Sequence, residues 1–401
     1  MKSPDFSQSN MTPTCTELQQ QANDVPACSN ENDTTLKTED LPKAENHFDI
    51  AERVEEQPLT SSSYDSIYME MDNLRNERDQ LLKENAELKM LLQSTGLRYA
   101  AAIESEDKCL LLTGLKPNVL TCLVEYLVKD RSKLKPTRLS FEDQIVLTII
   151  KLKHNLVFDL IAAIYGISST TAIEYFWCWL DIMHAKLKRL VRMQDRDHIY
   201  STIPPHFKQK FPRLTSIIDC FEVFVESPSS LLARAKFYSH YKKHTTIKVF
   251  ISCTPLGAVN FVSQCYGGRA ADIQVVKESD FHLSKYHMPG DQILADRGFT
   301  LVEEFAAGSC SELLIPAFTT GKKQLSAKEV ETSRKIASVR IHIERVIGLI
   351  RNRYTILKGI MPLRIVKSIK DEACGSILAN CDRIVVVCAA LVNLSESIIY
   401  K

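Results

Sequence analysis

Four carboxylates that lie far apart in the chain have the residue types and settings to do chemistry together: Asp219, Asp272, Asp296 and Glu344. Asp219 falls in 214–225, a stretch rich in Ile, Val and Phe that reads as a strand between Pro212 and Pro228. Period-two alternation puts it on one face with Ile217, Phe221, Val223 and Val225. A bare carboxylate on a buried apolar face costs on the order of several kcal/mol. A metal ion is one partner that offsets this; a salt bridge or a solvated strand end is another. Asp272 opens a helix after Gly267-Gly268-Arg269, and Asp296 follows a short buried strand over 291–295. Glu344 lies on the polar side of a long helix predicted over 327–353, with Arg340 one turn before it and Gly348 one turn after. Ion pairing with Arg340, Arg345 or Arg351 also accounts for Glu344 taken alone. In-line cleavage of a phosphodiester uses two divalent ions about 3.5–4 Å apart, one activating the attacking oxygen and one the leaving oxygen. Magnesium wants hard oxygen ligands, which carboxylates from separate elements supply.

The charge distribution points to a polyanionic partner. Residues 1–60 hold four Lys/Arg against twelve Asp/Glu, a net of −8; the whole chain is +1, so the remainder is +9. Residues 321–370 carry thirteen Lys/Arg against three acids. That run, with Arg340, Arg345, Arg351 and Arg353, reads as a phosphate-binding surface. A second basic stretch, 236–244, interleaves Tyr238, His240 and Tyr241 with Lys242 and Lys243, a composition suited to stacking on bases and gripping phosphates. An ordinary solvated loop is the plainer reading of it. The twelve cysteines show no Cys-x-x-Cys pair and no zinc-type Cys/His spacing. The chain reads as soluble and intracellular, with no membrane partner: no apolar run reaches the length of a transmembrane helix, and no secretory leader is evident.

The elements that must position these groups fall into four segments. Residues 1–60 are acidic, poor in aromatics and aperiodic, and are predicted to be disordered. Residues 64–95 repeat Ile67, Leu74, Leu81 and Leu88 every seventh position, with Met71, Arg78, Asn85 and Leu92 on the other seam; this predicts a coiled coil and a homodimer. A single amphipathic helix packed on the body is the alternative. Residues 105–195 read as all-helical. Ser140 caps one helix to His154, a second runs over 157–165, Gly166 makes a turn, and a third runs over 170–190. This is a helix-turn-helix pattern, with Ser169, Thr170 and Thr171 at the start of the third helix and Lys186, Lys188 and Arg189 at its far end as candidate DNA contacts. Residues 210–396 read as α/β: three antiparallel strands, then alternating strands and helices, then the long helix and a closing apolar segment over 384–394.

The motifs from 214 to 394 closely resemble those of the DDE superfamily-4 transposases of the PIF/Harbinger and IS5-like group. The stretches that carry the likeness are Ile217–Cys220, Tyr238–His244, Gly267–Arg269 with Asp272, Ile293–Phe299, Ile315–Phe318 and Arg340–Gly348. Residues 137–190 resemble the helix-turn-helix that precedes this domain in many members. The resemblance implies an RNase H-like fold, with Asp219, Asp296 and Glu344 as the catalytic, metal-binding triad and Asp272 as a fourth acidic ligand. It implies Mg²⁺, or Mn²⁺, as cofactor, and transposon ends and target DNA as partners: water nicks an element end, and the freed 3′-hydroxyl attacks the target. A nuclear location and a separate DNA-binding partner protein are further expectations. The chain departs from the family pattern at Phe221, where members carry a hydroxyl residue, and at Ala271-Asp272-Ile273, where they often have Ser-Asp-Lys. It also lacks the zinc-finger DNA reader of some relatives. A DNA-binding protein that keeps the fold without the chemistry is the alternative, and a zipper-dimer adaptor whose acid cluster is a relic is a third reading.

Overall fold

The computed structural model describes residues 69–80, 82, 97–129, 138–319, 324–366, 368–370 and 377–395. The acidic tail over 1–60 and most of the heptad stretch lie outside these residues. Residues 24–96 make one unit; within it, 69–80 and 82 are helical, with Met69, Met71, Leu74 and Leu82 exposed. Everything from Leu97 onward belongs to a second compact unit.

That second unit begins with helices: α1 (Tyr99–Ile103), α2 (Glu106–Thr113), α3 (Pro117–Val128), α4 (Phe141–His154), α5 (Phe158–Tyr165) and α6 (Ser169–Leu187). Their ends are locally encoded. The Ser140 hydroxyl accepts from the Asp143 N–H at the start of α4, and Asn155 ends that helix in the left-handed region at φ 50°. Gly166, at φ 66°, closes α5, and the Ser168 hydroxyl accepts from the Thr171 N–H to open α6. The third predicted helix stops at Leu187 and tightens into a 3-10 turn over Lys188–Leu190. Apolar faces of α4, α5 and α6 meet around Phe176 and Trp179. Here the buried Trp179 Nε1–H finds its acceptor in Gln144 Oε1 at 2.7 Å, so this polar tip is satisfied.

After α7 (Arg196–Thr202) and the short α8 (Pro205–Lys208) the sheet begins. Its strands of three or more residues are β1 (Leu214–Phe224), β2 (His244–Cys253), β3 (Val259–Val262), β4 (Gln292–Leu294) and β5 (Glu312–Leu314). In space the order is β3-β2-β1-β4-β5, with β1/β2 and β2/β3 antiparallel and β1/β4 and β4/β5 parallel. Helix α9 (Leu231–Phe237) precedes β2; α10 (Asp272–Glu278) precedes β4; α11 (Val302–Ser309) joins β4 to β5. The long α12 (Ala327–Arg353) opens with a capping box between Ser326 and Glu329, and α13 (Asn380–Asn393) closes the chain as a helix rather than a bare apolar segment. Strand β1 does not alternate between core and solvent. Leu214 to Ile218 are all buried, because β1 is central and helices cover both faces. Ile218, Phe250 and Ile293 pack with Val275 and Val276 of α10 and Phe305 of α11; α12 packs across β1 and α13 against β3. The helical part and the sheet share this framework, since Arg383 of α13 pairs with Asp181 of α6 at 2.9 Å.

His287 is buried against the rings of Phe281 (4.7 Å) and Phe305 (5.5 Å). Burial pushes its imidazole down from 6.5 to about 4. The folded protein therefore prefers neutral His287. Its contribution to stability is complete above the unfolded value and is lost as pH falls from 6.5 to about 4. The loss amounts to roughly 3 kcal/mol at 1.36 kcal/mol per unit. Urea titrations at several pH values are expected to show His287→Leu losing less stability than the native chain across that window; parallel curves would refute the assignment.

Candidate active site

Asp219 stands midway along β1, opposite Ile251 of β2. The parallel pairing with β4 ends at Ile217–Leu294, so beyond it the β1 edge is open on that side. Asp296 follows two residues after β4, Glu344 projects from the middle of α12, and Asp272 starts α10. All four carboxylates line one pocket of about 590 Å³ together with Glu222, Lys248, Arg340, Tyr241, Lys242 and Arg351. Four elements distant in sequence thus converge where the sheet leaves an edge uncovered. Gly268 lets the chain pass close beside β2 on its way to Asp272: its N–H bonds the Thr246 carbonyl at 2.9 Å, and a Cβ there would lie 2.0 Å from Thr246 Oγ1 and 2.8 Å from the Phe237 carbonyl oxygen.

Arg340 bridges three of the acids. Its Nη2 is 2.9 Å from Glu344 Oε1, its Nε 3.8 Å from Asp296 Oδ1 and its Nη1 3.9 Å from Asp219 Oδ2. Asp219 also accepts the N–H of Cys220 at 2.8 Å. Burial nonetheless pushes the Asp219 carboxyl up to about 6; the Cys220 N–H and Arg340 oppose that rise, and the negative charges of Asp272 and Asp296 add to it. One guanidinium shared among three carboxylates leaves net negative charge in a half-enclosed pocket. Hard oxygen donors with uncompensated charge fit a divalent cation of the magnesium type, and Asp219, Asp296 and Glu344 are the residues that would hold it. The described residues that bring three ligand atoms within 4.8 Å of one another are different ones, Cys265, Cys381 and Asp382. There Asp382 already accepts the N–H groups of Cys265 (2.6 Å) and Ala379 (2.9 Å), so it serves as the cap of α13.

The predicted DNA contacts separate into groups. Lys242, Arg340 and Arg351 reach the acidic pocket; Lys242 lies over the ring of Tyr241 at 4.7 Å, and that ring is 83% exposed at the rim. Lys243 occupies the left-handed region at φ 52° in the turn before β2, and Arg345 is exposed on α12. Arg353 turns away to pack its stem against Gly114 of the helical part. In the helix-turn-helix, Thr170 is exposed, whereas Ser169 donates to Asp159 and Thr171 bonds Ser168. Lys186 donates to the carbonyls of Tyr126 and Leu127, both at 3.2 Å, and so caps α3, while Lys188 and Arg189 are exposed. The motif reading passed over Lys248 and Glu222. A lone Lys among Ile247, Val249 and Phe250 is the same signal that marks Asp219, a charge set into an apolar strand.

Residues 218–393 match the family model of the DDE superfamily endonuclease, and residues 137–189 match the helix-turn-helix of DDE superfamily endonuclease. No curated protein and no solved structure gives a significant match. The two matched segments bracket α4–α6 and the sheet with its acidic pocket, in the order these families are built; the chain belongs to the DDE superfamily of transposase-type endonucleases and carries that family's helix-turn-helix ahead of the endonuclease domain.

Proposed function

We propose that this protein is a DNA transposase, or a nuclease derived from one, that cleaves and transfers DNA strands with divalent metal ions. The observation that carries this reading is the convergence of Asp219, Asp296 and Glu344 on one pocket at the open edge of β1, with a basic rim around it. The strand order β3-β2-β1-β4-β5, with the last three parallel, supports the RNase H-like assignment. Magnesium or manganese bound there supplies activation of the attacking oxygen and stabilisation of the leaving oxygen. The chain's own residues bind and orient. Asp219, the most buried of the three, anchors the ion set from a rigid central strand. Lys242 and Arg351 grip the DNA backbone across the rim. Arg340 is a counter-ion to the carboxylates until cations and substrate arrive, and then faces the phosphate. Thr170, Lys188 and Arg189 present hydroxyl and positive groups from α6 and the turn after it to a duplex. The heptads over 64–95 make the protein a homodimer in this reading, and DNA as substrate places it in the nucleus.

The test is nicking of supercoiled or terminal-repeat DNA with Mg²⁺ or Mn²⁺, comparing the native chain with Asp296→Ala and recording mass by light scattering and location by fluorescent tagging. Cleavage by a dimer that disappears in the variant and with chelator is expected. Equal DNA binding by both proteins without cleavage of the correct element ends by either would instead favour the non-catalytic DNA-binding reading, to which Phe221 and the Arg340 bridge already lend an observation.

A further inference from the structure

Lys248 sits within β2 among Ile247, Val249, Phe250 and Ile251, all fully buried, and its own side chain is only 12% exposed. Its Nζ donates to the Ala270 carbonyl at 2.7 Å and to Asp272 Oδ1 at 2.8 Å, and lies 3.9 Å from Glu222 Oε1. Glu222 is its register partner on β1, and the other Glu222 oxygen accepts from Thr246 Oγ1 at 2.7 Å. Strand alternation sets Glu222 and Lys248 on the opposite face of the sheet from Asp219. The acidic pocket therefore has two halves with different internal cations. On one side Lys248 serves two carboxylates; on the other Arg340 serves three, with Lys242 and Arg351 at the rim.

The two cations are also held differently. Arg340 makes one short contact and two long ones, so leaving the cluster sacrifices little. Lys248 is buried with two short hydrogen bonds and cannot move without stranding an ammonium in the sheet. A divalent ion ligated by Asp272 would stand beside that immovable ammonium, where like charges repel strongly for want of screening water. From this geometry we infer that Lys248 is a built-in cation that claims Asp272 as its counter-ion, so that divalent ions are held by Asp219, Asp296 and Glu344 without Asp272. Lys248 is then a positioning residue. Through Asp272 and Glu222 it confines metal binding to the Arg340 side of the pocket. The inference rests on the metal-dependent reading above and supplies the reason that Asp272, which lines the same pocket, stays out of its ligand set.

Binding of Mn²⁺ to the full-length chain, followed by loss of the free-ion electron paramagnetic resonance signal without DNA, tests it. Asp272→Asn keeps the shape and is expected to hold Mn²⁺ within about twofold of native affinity, whereas Asp296→Asn weakens it by about tenfold or more, since losing a ligand costs no less than losing a group that supports one. Lys248→Met frees two carboxylates and is expected to bind one Mn²⁺ more per chain than native; adding Asp272→Asn removes that ion, and Lys248→Arg keeps the native stoichiometry. Weakening by Asp272→Asn equal to that of Asp296→Asn overturns the inference, as does a folded Lys248→Met with native stoichiometry. If Lys248→Met does not fold, the comparison of Asp272→Asn with Asp296→Asn decides alone. Native protein that takes up no Mn²⁺ would remove the metal-dependent reading itself, an outcome distinct from a native protein whose ions need Asp272.

Discussion

Asp219→Asn is expected to abolish metal-dependent cleavage, by on the order of a thousandfold or more, while making the metal-free protein more stable. The first effect follows from its place: it is the one acid of the three on the rigid central strand, and an amide oxygen is a far weaker ligand for a hard cation than a carboxylate. The second follows from the raised carboxyl. Burial lifts it from 3.8 to about 6, so the folded state penalises the charged form. For a carboxyl raised in this direction, the stabilising contribution is complete below the unfolded value and is lost as pH rises through about 6. At pH 7 the native carboxylate thus costs roughly 3 kcal/mol, at 1.36 kcal/mol per unit, which the neutral amide avoids. Urea denaturation at pH 7 in chelator should show the variant above the native chain, the gap closing as pH falls towards 4. Added Mg²⁺ should stabilise the native chain and leave the variant unchanged. A variant less stable than native at pH 7 without metal would show that Asp219 is a structural acid satisfied by Arg340.

Arg196→Met is the second large effect, and it acts on the fold. Asp291 is completely buried at the start of β4. It accepts from Arg196 Nε at 2.9 Å, from the Met288 N–H at 2.8 Å and from the Tyr200 hydroxyl at 3.3 Å. Arg196 also donates to the Tyr286 carbonyl at 2.8 Å. Removing the guanidinium leaves a buried carboxylate without its counter-charge, which costs about 3–5 kcal/mol. Replacing both partners, Arg196→Met with Asp291→Leu, should recover much of that loss, because a buried ion pair contributes little over an apolar pair of similar volume. Denaturation midpoints of the two variants measure this; a single variant within about 1 kcal/mol of native would mean water reaches Asp291. Since Asp291 leads into the strand that delivers Asp296, the single variant is also expected to lose cleavage in proportion to its unfolded fraction.

Local chemistry made much of this protein legible from its residues. Hydroxyl caps, Gly166 and the 3.6-residue periodicity mark α4, α5, α6 and α12 nearly to their ends, because capping and amphipathicity act over a few residues. The run of Ile, Val and Phe marks β1, and a charge within it marks Asp219. The four acids, in their order and with their flanking motifs, also carried the family resemblance that the family models bear out. What sequence spacing does not contain is which distant charges become neighbours. A run of thirteen Lys/Arg looks uniform along the chain, yet folding sends Arg340 into the carboxylates and Arg353 against Gly114. Lys186 looks like a phosphate contact until α3 places two carbonyls beside it. Asp272 reads as an equal of the other acids until the register of β1 and β2 sets Lys248 2.8 Å from it. Periodicity and capping are properties of a few consecutive residues, whereas a charge's partner is chosen by strand register and by which groups burial traps together, and only the folded chain decides that.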